Sequence, residues 1–412
     1  MKDCPEILAL SYALPPSLYP QSIQIGRLLY HCPLPVWAVS GEAPDGGMDC
    51  YPDFSQRMAL HQRVPFRAPL PGRLHAFARK FVSLYGRAPD EFRFWISDAG
   101  MVIGNALAVR KFWHPTIVSF GEPMSDHLLA LDLKRRTGLP WVAHFSDPWA
   151  DNPFRRLFVF ANVLNRRMEG TVIASADRIV FTSSETLELV MRKYPEEWRQ
   201  KASVLPHSYD PAFYPEMPIR TGKLVVRYLG NFYADRTPFP LLDALADIYR
   251  KSPALLSDVR FELIGGMPDR MRTRALRTDL PPGLVELLPS VSYRNSLRLA
   301  AEADLLLVID APAELSVFLP SKLIDYVGAG VPIFGIVPSG SSHELIRRLG
   351  GRVANPQDPG AVTAGLMESL DGCRLRRVQP GMPWGKQDVR KEYEIRCITP
   401  RFSGIIQSLM TP

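Results

Sequence analysis

The chain has 412 residues, 46% of them hydrophobic and 22% charged, with a net charge of +7. That is room for two ordinary domains and the balance of a globular chain, not a disordered one. Every apolar run is broken by charge or proline before it could cross a membrane. Met1-Lys2-Asp3-Cys4-Pro5-Glu6 lacks the apolar core of a secretory signal, so a cytoplasmic location is expected. Cys4, Cys32, Cys50, Cys373 and Cys397 are scattered and odd in number, which fits neither a disulfide framework nor a metal site. The positive balance favours anionic partners such as nucleotides or phospholipid surfaces. Nucleic acid is not expected, because no basic and aromatic stacking platform accompanies the charge.

Apolar runs and amphipathic stretches alternate along the chain. Ile7–Leu10 reads as a strand, followed by a helix over 21–30. Residues 92–96, 116–119, Trp141–Phe145 and Arg178–Phe181 also read as strands, and 74–85, 125–137, 155–174 and 184–194 as helices. Prolines 206, 211, 215 and 218 then break the pattern, marking a domain boundary within 205–222. A second series follows. Leu224–Leu229, Val259–Ile264, Leu305–Ile309 and 331–337 read as strands, with helices over 238–249, 292–301, 321–327 and Ser341–Leu349. The order predicts an α/β fold of two Rossmann-like doubly wound domains, 1–210 and 220–385, facing across a cleft. A C-terminal helix near 390–412 is free to pack back on the first domain. Ligands bind such sheets at the C-terminal strand ends.

The most informative stretch is Pro320-Ser321-Lys322-Leu323-Ile324-Asp325-Tyr326-Val327-Gly328-Ala329-Gly330-Val331-Pro332-Ile333. Proline and serine suit a helix start, serine as its cap, and Gly328, Gly330 and Pro332 suit its end. Lys322 then stands beside a positive helix terminus. That is sensible if an anion binds both, and otherwise the lysine reaches solvent. Asp325 shares its helix face. At the end of the first strand of the second half, Gly230 and Asn231 lead to Arg236. Arg236 either joins Lys322 in clamping a diphosphate or pairs with neighbouring Asp235. Gly265, after the next strand, leaves the backbone open to a ligand.

These residues resemble the GT-B-fold glycosyltransferases, family 4 of the nucleotide-sugar transferases in particular. The Gly230–Arg236 turn stands for that family's Gly-Arg-x-x-x-x-Lys turn. The helix ending Asp325, Gly330, Val331, Pro332 stands for its Glu-x7-Glu helix and Gly-x-Pro strand. Pro140 through Trp149 looks like its acceptor-side loop, and His207-Ser208-Tyr209-Asp210 stands where many members have Asn-Gly-x-Asp. The resemblance implies transfer of a sugar from a nucleotide-diphosphate donor, of UDP or GDP type, to an acceptor hydroxyl. It implies no metal and no further cofactor, a retaining outcome, and a place in surface polysaccharide or glycoconjugate assembly. Gly230, Asn231, Arg236, Gly265, Ser321, Lys322 and Asp325 would bind the donor, Arg236 and Lys322 at the diphosphate and Asp325 at the ribose. The chain departs from the pattern at Val317, where the first glutamate should fall, with Glu314 nearby; at Asn231; and at Ser146-Asp147, where the family often has His-Asp.

Asp147 follows the strand Trp141–Phe145 at its ligand end and is a candidate to orient or deprotonate the acceptor, with His144 beside it. Alternatively Asp147 caps a helix near Pro153 or braces the loop against Trp149, and His144 packs. Between Asp53 and Asp90 there is no acid, yet Arg57, Arg63, Arg67, Arg73, Arg79, Lys80 and Arg87 occur. The helix they flank carries Leu74, Phe77, Ala78, Phe81, Val82 and Tyr85. It suits peripheral contact with an anionic inner membrane face, as a lipid-linked acceptor would require, or packs on its own domain. Two other readings stay open: a nucleotide-sugar epimerase of similar fold, and a catalytically silent nucleotide-sugar-binding protein.

Overall fold

The computed structural model describes residues 6–42, 49–81, 88–109, 115–153, 159–216, 221–378 and 383–409. They form two compact units, Met1–His207 with Ile395–Pro412, and Ser208–Glu394.

The first unit is built on a sheet of seven parallel strands: β1 Ile7–Leu10, β2 Val36–Gly41, β3 Leu60–Val64, β4 Thr116–Phe120, β5 Trp141–Phe145, β6 Arg178–Phe181 and β7 Ala202–Val204. Their order is β3-β2-β1-β4-β5-β6-β7. The direction of winding reverses between β1 and β4. The central strands β1, β4 and β5 are buried along their whole length because helices cover both faces of the sheet. One face packs Leu8, Trp37, Ile117, Trp141 and Phe145 against Trp95, Ala99 and Leu129.

The second unit has six parallel strands: β8 Leu224–Leu229, β9 Val259–Ile264, β10 Val285–Leu288, β11 Leu305–Ile309, β12 Ile333–Ile336 and β13 Arg352–Ala354. Their order is β10-β9-β8-β11-β12-β13, with the reversal between β8 and β11. Both sheets are thus doubly wound, and each has one switch point at which ligands of such sheets bind.

The expected strand over 92–96 is not one. A 3-10 turn, Glu91–Phe94, runs straight into the helix Trp95–Val109. Asp90 starts the turn by accepting the Phe92 amide at 3.0 Å. Trp95, Ala99 and Ile103 then fall at four-residue intervals, all 0% exposed. The short apolar run is the first turn of a buried helical stripe, a period that becomes visible only over the longer window. Strands β2, β3, β7, β10 and β13 lie outside the strands read from the sequence. β3, β7, β10 and β13 are short or polar edge positions, which bury too little to show a pattern.

Candidate functional site

The C-terminal ends of β8, β9 and β11 carry the second unit's candidate residues. Gly230 and Gly265 follow β8 and β9 with φ of +154° and +146°, a region open to glycine alone. A Cβ on Gly265 would collide with the Gly230 carbonyl oxygen, and one on Gly230 would lie 2.6 Å from Lys322 Nζ. Asn231 Oδ1 accepts the Gly266 amide at 2.8 Å, so it clasps the two turns together. Gly265→Ala should destabilise the protein by more than about 1 kcal/mol, since it adds both strain and a backbone clash. An unchanged urea midpoint would show that the turns tolerate a side chain.

The helix Ser321–Ala329 starts beside these glycines. Pro320, extended at φ −60° and ψ 133°, holds the N-cap position, and no side chain caps the helix. Ser321 is the first helical residue, so its expected capping role is not seen. Gly330 ends the helix at φ +63°, whereas Gly328 lies inside it, where the Tyr214 ring leaves no space for a side chain.

Lys322 Nζ donates to the Tyr228 hydroxyl at 2.8 Å and lies 4.3 Å over the same ring, which stacks on Phe232 at 4.4 Å. Among the described residues Lys322 has no carboxylate partner. Burial, with the nearby Arg236 charge and against the pull of Asp310, lowers its pKa to about 7. Arg236 does not pair with Asp235. Its Nη2 donates to Asp310 Oδ1 at 2.8 Å and its Nη1 to the Tyr233 hydroxyl at 2.9 Å. Its Nε is buried without a partner among the described residues. Burial pulls the guanidinium pKa down, but Asp310 and Tyr233 outweigh that and raise it.

Asp310 is a candidate site residue that the sequence reading missed. It is 3% exposed and also accepts from Ser316 Oγ at 2.9 Å and the Ala311 amide at 2.9 Å. A signal existed: an acid directly after the apolar strand β11, at the edge where ligands bind. Val317, where the first acid was sought, is a buried side chain, and Glu314 is exposed. Two cations therefore stand at a helix N-terminus with one carboxylate, Asp310, which pairs with Arg236 and not with Lys322. The surplus positive charge, held in a half-buried place, suits an anion with several oxygens.

Asp325, three residues along the helix, is 9% exposed. Its Oδ1 accepts from the Tyr293 hydroxyl at 2.7 Å and its carbonyl from Tyr214 at 2.8 Å. Tyr293, at the start of the helix Tyr293–Glu302, fixes how this carboxylate is presented and was not picked out from the sequence.

In the first unit, His144 lies within β5, 4% exposed, its ring centroid 5.2 Å from that of Phe120. Burial lowers its pKa to about 4, so it is neutral at physiological pH. Asp147 lies two residues beyond β5 and is half-buried. Its loop is pinned on both sides. Thr182 Oγ1 donates to the Ser146 carbonyl at 2.7 Å, Trp149 Nε1 to Asn165 Oδ1 at 2.6 Å, and the Ala150 amide to Glu169 Oε2 at 2.9 Å. The helix expected near Pro153 is described from Val159 onward, and 154–158 lie outside the described residues. At this sheet's switch point Asp126 is wholly buried, accepts the Tyr12 amide at 2.8 Å, and is pushed by burial well above the usual carboxylate pKa. Among the described residues, no group of three or more His, Cys, Asp or Glu side chains could hold a metal ion.

Solved structures with this fold are numerous. A sucrose-phosphate synthase from Thermosynechococcus elongatus superposes with a TM-score of 0.70 at 14% identity, over 99% of both chains. Anabaena HepE in complex with UDP gives 0.64 at 13% identity, over 98% of this chain and 100% of that one. The lipopolysaccharide outer core galactosyltransferase WaaB gives 0.59 at 13% identity, over 98% and 99%. No family model matches the chain, and no curated protein matches it in sequence. The two doubly wound sheets and these neighbours define the architecture: the chain has the GT-B fold. The narrower resemblance to family 4 is not carried by these neighbours.

Proposed function

We propose that the protein is a glycosyltransferase that takes a sugar from a UDP-type donor and passes it to an acceptor hydroxyl. One observation carries this reading: Arg236, paired with Asp310, and Lys322, with no carboxylate partner among the described residues, stand together at the Ser321–Ala329 helix start. When a glycosidic bond to a nucleotide breaks, negative charge develops on the departing diphosphate. Fixed cations and helix-start amides stabilise that charge without a divalent metal, so the reaction is proposed to be metal-independent. Gly230 and Gly265 keep the backbone open beside the phosphates. Asp325, oriented by Tyr293, takes the ribose hydroxyls. The UDP complex of Anabaena HepE, a protein of the same fold, supports UDP as the nucleotide. The domain roles follow: residues 220–385 hold the donor and residues 1–210 meet the acceptor, with Asp147 at the reacting hydroxyl. A retaining outcome, the family 4 assignment and a cytoplasmic place in surface glycoconjugate assembly complete the proposal.

Thermal unfolding tests the donor assignment, because only a ligand of the native state raises its melting temperature. UDP at about a hundredfold excess over its Kd should stabilise by about 2.7 kcal/mol, and uridine far less. If no nucleoside diphosphate moves the transition, the reading fails.

A further inference from the structure

We infer that the arginine-rich segment 270–277 is a capture surface for the anionic nucleotide donor, speeding its arrival at Arg236 and Lys322 without touching it once bound. This rests on the donor reading and adds to it how the ligand reaches its site. The segment leaves the C-terminal end of β9 after Gly265, and the helix Asp269–Ala275 covers most of it. Gly230 and Arg236 follow β8, and Lys322 follows β11, on the same edge of the parallel sheet. Two contacts hold the segment over that edge. The Arg274 guanidinium lies 3.8 Å over the ring of Phe239, which opens the helix after Arg236. Arg272 Nη2 donates to the Leu287 carbonyl of β10 at 3.2 Å.

These arginines differ from their neighbours in being unpaired. Arg270, Arg272, Arg274 and Arg277 are all exposed, and none has a carboxylate partner among the described residues. Elsewhere in the unit Arg298 pairs with Glu302 at 2.6 Å, Arg348 with Glu392 at 2.5 Å and Arg374 with Asp258 at 2.7 Å. Between Glu262 and Asp279 the sequence has one acid, Asp269. Arg270 and Arg274 also stand four apart on one helix, where like charges repel. The helix loses stability by this arrangement, and an anion approaching from solvent gains by it.

Reach decides the kind of effect. Arg270 is five residues past Gly265, and at about 3.6 Å per residue its backbone lies within roughly 18 Å of that turn. Exposed charges act over about 30 Å at 0.01 M salt and about 10 Å at 0.1 M. The segment therefore attracts a diphosphate at low ionic strength and is screened from it at high. An acidic macromolecule would also be drawn to the arginines, but the diphosphate is the anion whose site adjoins them.

The test is stopped-flow association of UDP carrying a fluorophore on its uracil ring, with salt varied from about 0.01 to about 0.5 M. The double variant Arg270→Gln, Arg277→Gln changes side chains that make no hydrogen bond, ion pair or ring contact among the described residues, so its melting temperature should match the parent's. At the lowest salt its association rate constant should fall about fivefold or more, with dissociation within about twofold, and the two proteins should converge at the highest salt. The charge-reversing pair Arg270→Glu, Arg277→Glu should slow association further. Equal association rates at low salt would overturn the inference. So would a loss that persists at high salt and resides in dissociation, which would make these arginines direct contacts of the bound nucleotide. The donor reading fails on a different result, the absence of UDP binding by the parent at every salt, and the capture surface would fall with it. If UDP binds and the variant's rates equal the parent's, only the capture surface is lost.

Discussion

Lys322→Met should weaken UDP binding by about 1.5–3 kcal/mol, roughly 10- to 150-fold, and leave uridine binding almost unchanged. The loss is that of a charged hydrogen bond, and the folded protein barely notices it, because Lys322 has no carboxylate to abandon. Arg236→Ala should cut UDP affinity similarly but also destabilise the free protein by about 3 kcal/mol or more, since it strands the buried Asp310 charge. Calorimetry and thermal unfolding on the two variants separate these effects. Equal losses for UDP and uridine would remove both residues from the diphosphate. Lys322 adds a pH signature. In the free protein its pKa is lowered to about 7, and a bound diphosphate raises it again. Binding above about pH 7 therefore takes up protons, and affinity falls as the pH rises further. Titrations in buffers of different ionisation enthalpy count those protons, and Lys322→Met should abolish the uptake.

The second large effect concerns Asp147. Asp147→Asn should lower the transfer rate about a hundredfold or more, the scale for a positioned acid or base, while UDP affinity stays within a few-fold. The pinning of its loop by Asn165, Glu169 and Thr182 argues that the substitution leaves the geometry in place. Near-normal transfer would leave Asp147 as a loop brace. Parallel losses of donor binding and transfer would assign it to the donor.

Why some elements were legible and others not comes down to burial. β1, β5, β8, β9 and β11 are central strands covered on both faces, so their apolar runs stand out against polar turns. The edge strands β3, β7, β10 and β13 pack on fewer neighbours and carry residues such as His61, Arg63 and Glu286 that read as loop. The 92–96 segment misleads for the opposite reason: its apolar density is real, but it belongs to a helix whose period needs fifteen residues to show.

By itself the sequence determined the alternation of strands and helices, a break within 205–222, and the placing of Gly230, Gly265 and Lys322 at strand-to-helix turns. These are local properties: periodicity, proline and glycine punctuation, and the short reach of a turn. Only the tertiary structure decided the partners. Arg236 and Asp310 are far apart in sequence and meet because β8 and β11 are neighbours across the switch point. Asp325 finds Tyr293 because two consecutive helices pack side by side. Lys322 lies over Tyr228 and not beside a carboxylate, and that lowers its pKa. Partner choice depends on which strand ends are adjacent, and a one-dimensional pattern does not specify it.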